Sequence, residues 1–400
     1  MNSVPGTAGR RRRILYLSGT RADFGLMRGC LQRIAAHPRL ELALAVTGMH
    51  LCPEFGNTVA EIEASGLPIA ARIPSDVAAR DGAGMARAVA QTLLGVGAEL
   101  QRGAHDLLLL LGDRGEMLAG AIAALHHGVP VAHVHGGERS GTVDEPMRHA
   151  ISKLASLHFA ATFESRERLI AMGEQPQRVF VSGAPGLDEL ALHAQASREQ
   201  AARALGIDAH LDYVLVVFHP VVQEAAQAGE QTRAVLDGLR DAGGGHAFDV
   251  IWMAPNADAG SAHVEQALRE LPTQAGGWRR ITHLPRPQYL DALRHALALV
   301  GNSSSGIIEA ASFGTPVLDV GSRQRLRERN PGVRNVPARA ADIAGALREL
   351  LGGPRPAAHN VYGDGHAHNV YGDGHAGERI AHWLAELELP PGLLDKTLTY

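Results

Sequence analysis

Five leucines in a row, Leu107 to Leu111, run straight into Gly112-Asp113-Arg114, and a helical spacing follows (Met117, Leu118, Ala121, Ile122, Leu125). An apolar run with no polar alternation suits a strand buried on both faces, as in a parallel sheet covered by helices on either side. Val129 to Val134 repeats the pattern and ends in His135-Gly136-Gly137-Glu138-Arg139. A chain built this way has to fold as an α/β protein. The C-terminal ends of such strands are where open parallel sheets bind ligands. Asp113, Arg114, His135, Glu138, Arg139, Asp144, Glu145, Arg148 and His149 all fall on or just after those ends. So dense a mixture of acids, bases and histidines beside glycines points to chemistry on a charged substrate.

The alternation extends along the chain. Ile14 to Ser18 reads as a first strand ending in Gly19-Thr20-Arg21, and Leu40 to Thr47 as a second ending in Gly48-Met49-His50. Helical patterns cover Thr58 to Ala64 and Met85 to Leu100, and further strand segments lie at Phe159–Ala161 and Val179–Val181. These place a doubly wound domain over residues 12–190. His193 to Leu211 is polar, with helical spacing, and is expected to be a helical connector. Strands then resume at Val214–Phe218, Val250–Met253, Leu297–Val300 and Pro316–Val320, which places a second Rossmann-like domain over 205–375. Residues 376–400 are expected to form a final amphipathic helix (Ile380 to Leu389) and a tail that packs back on the first domain. Two doubly wound halves would face each other across a cleft formed by their strand ends. At 400 residues the chain is long enough for two cores.

Gly301-Asn302-Ser303-Ser304-Ser305-Gly306 joins a strand to a helix. Backbone N–H groups at such a turn, with the positive end of the helix, form an anion site. A helix cap would explain one serine; three between two glycines favour a ligand. No G-x-x-x-x-G-K-[ST] motif occurs, and no G-x-G-x-x-G follows the first strand, so neither a P-loop nor the usual dinucleotide fingerprint is supported.

Net charge is −4, which gives no support to a general nucleic-acid binder. The apolar run after Arg10 to Arg13 is only Ile14 to Leu17, too short for a secretory segment, and nothing approaches a membrane span. The expected location is the cytoplasm, with the four arginines in a solvated N-terminal tail. Cys30 and Cys52 form neither a disulfide framework nor a metal-ligand pair. The segment HNVYGDGHA occurs twice in tandem, at 359–367 and 368–376. His359, His366, His368 and His375 have metal-ligand chemistry, but their glycine-rich flanks preorganise a site poorly, and the expectation is no metal and no cofactor.

The segments GTRADFGLM, VTGMHLCPEFGNT, GDRGEML, HVHGGERSGTVDEPMRHAISKLA, FHPV, GNSSSGIIEAASFGTPVLDVGSRQ and YGDGHAGERI, in this order over about residues 12 to 385, resemble the hydrolysing UDP-N-acetylglucosamine 2-epimerases of bacterial sialic-acid synthesis. The resemblance implies a GT-B fold, with two Rossmann-like domains and a UDP-sugar held between them. It implies anti elimination of UDP to give 2-acetamidoglucal, then syn addition of water to give N-acetylmannosamine. Matched by motif, Asp113, His135 and Asp144 occupy the acid/base positions, with Glu138 able to share the role of His135. His219 is implied as catalytic and His50 as near the sugar. Contacts to UDP map to Arg21, Arg114, Asn256, Ser303, Ser304, Glu309 and Arg323. A homo-oligomer, dimer or tetramer, is also implied. Two departures stand out: several family members carry glutamate at the position of His135, and serine at that of Gly25. The YGDG motif normally occurs once, which makes the first copy the insertion. The alternatives are a GDP- or 4,6-modified sugar nucleotide of the legionaminic-acid type, a GT-B glycosyltransferase, which would need an acceptor, and a non-hydrolysing epimerase or a sensor, which would leave the sugar on the nucleotide.

Overall fold

The computed structural model describes residues 10–79, 81–188, 190–269, 277–356, 358 and 369–399. Seven strands come first: β1 (Arg12–Ser18), β2 (Leu40–Thr47), β3 (Ile69–Ile73), β4 (Leu107–Leu111), β5 (Val131–Val134), β6 (Leu157–Ala160) and β7 (Val179–Val181). They form one parallel sheet in the order β3-β2-β1-β4-β5-β6-β7. Six more, β8 (Tyr213–Val217), β9 (Asp249–Met253), β10 (Trp278–Ile281), β11 (Ala298–Gly301), β12 (Val317–Val320) and β13 (Val333–Val336), form a second parallel sheet in the order β10-β9-β8-β11-β12-β13.

The leucine run shows why the first sheet is covered on both faces. Leu107, Leu109 and Leu111 enter one apolar cluster with Ile14, Tyr16, Leu44 and Phe159. Leu108 and Leu110 enter the cluster on the other face, with Leu15, Leu17 and Val131. The period of two along a strand sends alternate side chains to opposite sides, so only an unbroken apolar run satisfies both. In each sheet the winding direction reverses once, between β1 and β4 and between β8 and β11. The strand ends there splay apart and leave a crevice.

Several boundaries differ from those read in the sequence. The third long helix starts at Gly82 because Asp81 caps it, its carboxylate accepting from Gly84 N at 2.7 Å. The connector is helical only over Arg198–Leu205, between a Ser197–Gln200 capping box and Gly206, whose φ of +67° ends the helix. Arg10 to Arg13 do not form a free tail: Arg12 and Arg13 lie in β1, and Arg10 pairs with Asp106 at 2.9 Å. The last helix spans Ala376–Glu386. Arg12 satisfies the carbonyls at its end, donating to Leu384 O and to Leu387 O, the latter at 2.7 Å. Ile380, Ala381 and Leu384 of that helix complete the core of the first sheet, and Trp383 stacks on Phe159 with the rings 5.8 Å apart.

The second copy of the repeat is built into the fold. Asn369 is buried, donates to Ile308 O at 2.7 Å and accepts from Asn330 at 3.0 Å. The first copy lies outside the described residues, and with it His359 and His366; so does His368. His375 is exposed and sits 3.5 Å from Glu378. Among the described residues no group of three or more His, Cys, Asp or Glu is placed to hold a metal ion, and no helix is long and apolar enough to cross a membrane.

Candidate active site

A cavity of about 300 Å³ opens between the two sheets, walled by the segments that follow β1, β4, β5, β8, β9, β11 and β12. Both reversal points of the winding open onto it.

One end is a turn that suits an anion. β11 stops at Gly301, whose φ of +139° and close approach to the Val217 carbonyl leave no room for a Cβ. Asn302 then ties two strand ends together, accepting from His219 N and donating to His219 O, both at 2.8 Å. Ser303 caps the short helix Ser304–Ile308. Ser303, Ser304 and Ser305 all line the cavity, with the Tyr289 hydroxyl donating to Ser305 at 2.8 Å. Glu309 lies at the end of that helix and is buried, but its carboxylate is taken by Arg286, which also donates to Gly186 O at 2.8 Å. Gly25 faces the same arginine: a Cβ there would stand 3.0 Å from Arg286 Cδ. A side chain at Gly25 would crowd Arg286, which would have to give by a few tenths of an ångström.

The other end holds the acids. Burial alone would raise the Asp113 carboxyl, but Arg148 from the helix Asp144–Leu154 and Arg327 from the loop after β12 hold it below its ordinary value. Asp144, in the first turn of that helix, is raised by burial and by the negative charge of Asp113; Arg323, 4.0 Å away, opposes this only in part. The two carboxylates therefore stand in opposed environments, one shifted down and one shifted up, the arrangement that separates their acid and base roles. His135 follows β5 with φ at +67°, a left-handed conformation that a non-glycine residue adopts at a cost. Its Nδ1 lies 2.7 Å from Glu138. Glu138 is buried; Arg327 and His135 overcome that burial and hold it far below the usual carboxylate range.

The side walls bridge the two sheets. Arg114 reaches Asp258 at 2.9 Å, and Asp258 also accepts from Asn256 at 2.5 Å. Arg21 donates to Thr282 O at 2.8 Å and lies 2.9 Å from Nδ1 of His283, whose Nε2 meets Glu61. His219 is pushed down to about 3 by burial, with Arg323 adding to the effect. Its Nδ1 accepts from Asn256 N at 3.2 Å, which leaves the ring neutral with its hydrogen on Nε2.

Of the residues singled out from the sequence, Asp113, His135, Glu138, Asp144 and His219 all line the cavity. So do Arg21, Arg114, Asn256, Ser303, Ser304, Glu309 and Arg323. His50 does not. It is fully buried behind the wall, held by Ser18 at 2.9 Å and Thr58 at 2.8 Å, so it supports the β1 turn and touches no ligand space. Arg148, one of the charged residues read after the strand ends, also lines the cavity and stands four residues after Asp144 on one helix face. Arg286, Arg327, Asp258 and His283 carry no local signal in the sequence.

Two doubly wound parallel sheets meeting at their strand ends over such a cleft make the GT-B-like arrangement, and the arginines, serines and carboxylates along it are those of a site for an anionic substrate. Residues 32–385 match the family model described as UDP-N-acetylglucosamine 2-epimerase, and the chain belongs to that family. It is 43% identical to the hydrolysing UDP-N,N'-diacetylbacillosamine 2-epimerase of Legionella pneumophila, over 97% of this chain and 100% of that one. It is 31% identical to the polysialic acid biosynthesis protein P7 of Escherichia coli, over 82% of this chain and 83% of that one. The crystal structure of the Neisseria meningitidis UDP-GlcNAc 2-epimerase bound to UDP-GlcNAc superimposes with a TM-score of 0.77 at 18% identity, covering 94% of this chain and all of that one.

Proposed function

We propose that this chain is a hydrolysing 2-epimerase that converts UDP-N-acetylglucosamine, or a close analogue, into the free 2-epimeric sugar and UDP. The observation that carries the reading is the pair Asp113 and Asp144, one held ionised by two arginines and one raised by burial beside it. The C2 hydrogen of the sugar is not acidic, so departure of UDP has to run ahead and leave positive charge on C1. Asp113, kept anionic, stabilises that charge. The serine turn with Arg21, Arg114 and Arg323 takes the diphosphate. His135, oriented by Glu138, removes the C2 proton as the C1–O bond breaks, and UDP leaves 2-acetamidoglucal behind. Asp144 then delivers a proton to the opposite face of C2. Water adds to C1 and gives a proton back to Asp144, and His135 releases its own to solvent. One water is consumed, one UDP and one proton are released, and C2 is inverted. His219, neutral, contributes an Nε2–H donor.

The 43% relative favours a second substrate of the same class, the UDP-linked 2,4-diacetamido sugar for which that relative is named. The likeness to the polysialic acid protein supports a role in supplying a nonulosonate for surface polysaccharide. We place the enzyme in the cytoplasm, as a homo-oligomer without metal or cofactor. Proton NMR in deuterated water, with both nucleotide sugars offered, tests the reaction. Free UDP and a 2-epimeric sugar carrying deuterium at C2 are expected; a UDP-linked epimer would make it non-hydrolysing, and two intact substrates would remove the assignment.

A further inference from the structure

The loop 321–330, which follows β12, belongs to the second sheet. It is pinned there by Gln324 donating to Asn302 O at 3.1 Å, Asn330 donating to Ile307 O at 3.1 Å and Arg329 at 3.3 Å from Asp319. Yet three consecutive residues of it meet the other half of the molecule. Leu326 lies over Gly141. Arg327 pairs with Glu138 and stands 4.0 Å from Asp113. Glu328 takes the Arg168 guanidinium at 2.7 Å. The Arg327 side chain is only 10% exposed, so its charge acts where water screens it little. Among the described residues, every other cation held against Asp113 and Glu138 comes from their own sheet, except Arg323 of this same loop.

We propose that Arg327 is a positioning residue through which the second domain switches on the carboxylates of the first. Its guanidinium reaches Asp113 and Glu138 only when the cleft is closed, so the charge that stabilises the cationic sugar is complete only after the sugar is enclosed. Departure of UDP from an open cleft would expose that cation to bulk water and give hydrolysis without epimerisation; supplying the arginine from the opposite wall ties bond breaking to closure. The inference rests on the reaction proposed above. Asp113 also faces Arg148 and Asp144 from the helix Asp144–Leu154, Arg323 from the loop and His133 from β5, and Glu138 faces His135 and Arg148. With Arg148 still in place, loss of Arg327 leaves Asp113 paired.

The test compares wild type with Arg327→Gln and Arg327→Lys. UDP affinity should fall by no more than about tenfold, the loss expected for one tie between the walls, because Arg327 pairs with the carboxylates and not with the serine turn. Turnover of Arg327→Gln should fall by about 100-fold, and the Asp113 carboxylate should titrate higher, because losing a cation raises it. Arg327→Lys should bring that midpoint back and restore at least about tenfold of the rate. An unmoved Asp113 midpoint, or UDP affinity falling in step with turnover, overturns the proposal. If wild type turns over neither nucleotide sugar, the reaction fails on its own. The Asp113 titration, read by carbon-13 NMR of aspartate-labelled protein saturated with UDP and assigned with Asp113→Asn, then decides. A midpoint that rises in Arg327→Gln upholds the switch, and one that does not move removes it.

Discussion

At the scale of single residues, environment separates groups with identical chemistry. Asp113 and Asp144 are both cavity carboxylates, but Arg148 and Arg327 hold the first ionised while the second is pushed up beside it. Asp144→Asn removes the proton donor and should cost roughly 10²–10⁴ in turnover with UDP affinity kept, checked by steady-state kinetics and calorimetry. Affinity lost with the rate would make Asp144 a binding group. The buried histidines set a pH dependence of stability. Burial pushes His133 and His219 down to about 3, whereas an unfolded histidine titrates near 6.5. Between those values the unfolded chain binds the extra protons, so this stability is complete above about 6.5 and is lost as pH falls toward 3. Asp113, held below its ordinary value, adds a further loss at the acid end. Urea midpoints should therefore fall steadily below about pH 6.5, with a flatter slope in His133→Gln, which keeps polar partners for Gly112 O and Ser152.

At the scale of elements, the strand ends carry the function and a few backbone positions hold them. Gly301→Ala would force a Cβ into the Val217 carbonyl at a positive φ. It should cost about 2–4 kcal/mol and weaken UDP binding, since the β11 turn must move; unchanged denaturant midpoint and affinity would show that the turn tolerates a side chain. The same local view explains what the sequence could disclose. β4 is legible because both its faces are apolar, and Asp113 with it because it ends that run. β3, β10 and β13 were not seen: Ile69-Ala-Ala-Arg-Ile, Trp278-Arg-Arg-Ile and Val333-Arg-Asn-Val are short edge or near-edge strands with polar residues on their open side, and nothing local marks them. The serine turn and the carboxylates sit where strands stop and were found. Arg286, Arg327, Asp258 and His283 become site residues only when distant segments meet, and no spacing records that.

At the scale of the molecule, the cleft is held by charge between its walls. Arg114 with Asp258, Arg327 with Glu138, Arg168 with Glu328, and His283 between Arg21 and Glu61 all join one half to the other. A ligand that binds only the closed form shifts the balance by its preference for that form. Its apparent affinity falls when less of the protein is closed to begin with. Asp258 is the simplest of these ties to cut, because its hydrogen-bond partner in its own half is the neutral Asn256 and its paired cation, Arg114, keeps Glu116 at 3.4 Å. Asp258→Asn should leave both cores intact and favour the open cleft. Without UDP its radius of gyration by X-ray scattering should exceed that of wild type, and on saturation with UDP the two should converge. The dissociation constant for UDP should rise about three- to tenfold, the factor expected when roughly 1–1.4 kcal/mol of closure energy is removed. Scattering curves that match before UDP is added, with unchanged affinity, would mean that the Arg114–Asp258 pair does not hold the cleft closed. An affinity loss without any opening would show that Asp258 acts on UDP binding by orienting Arg114 and not through closure.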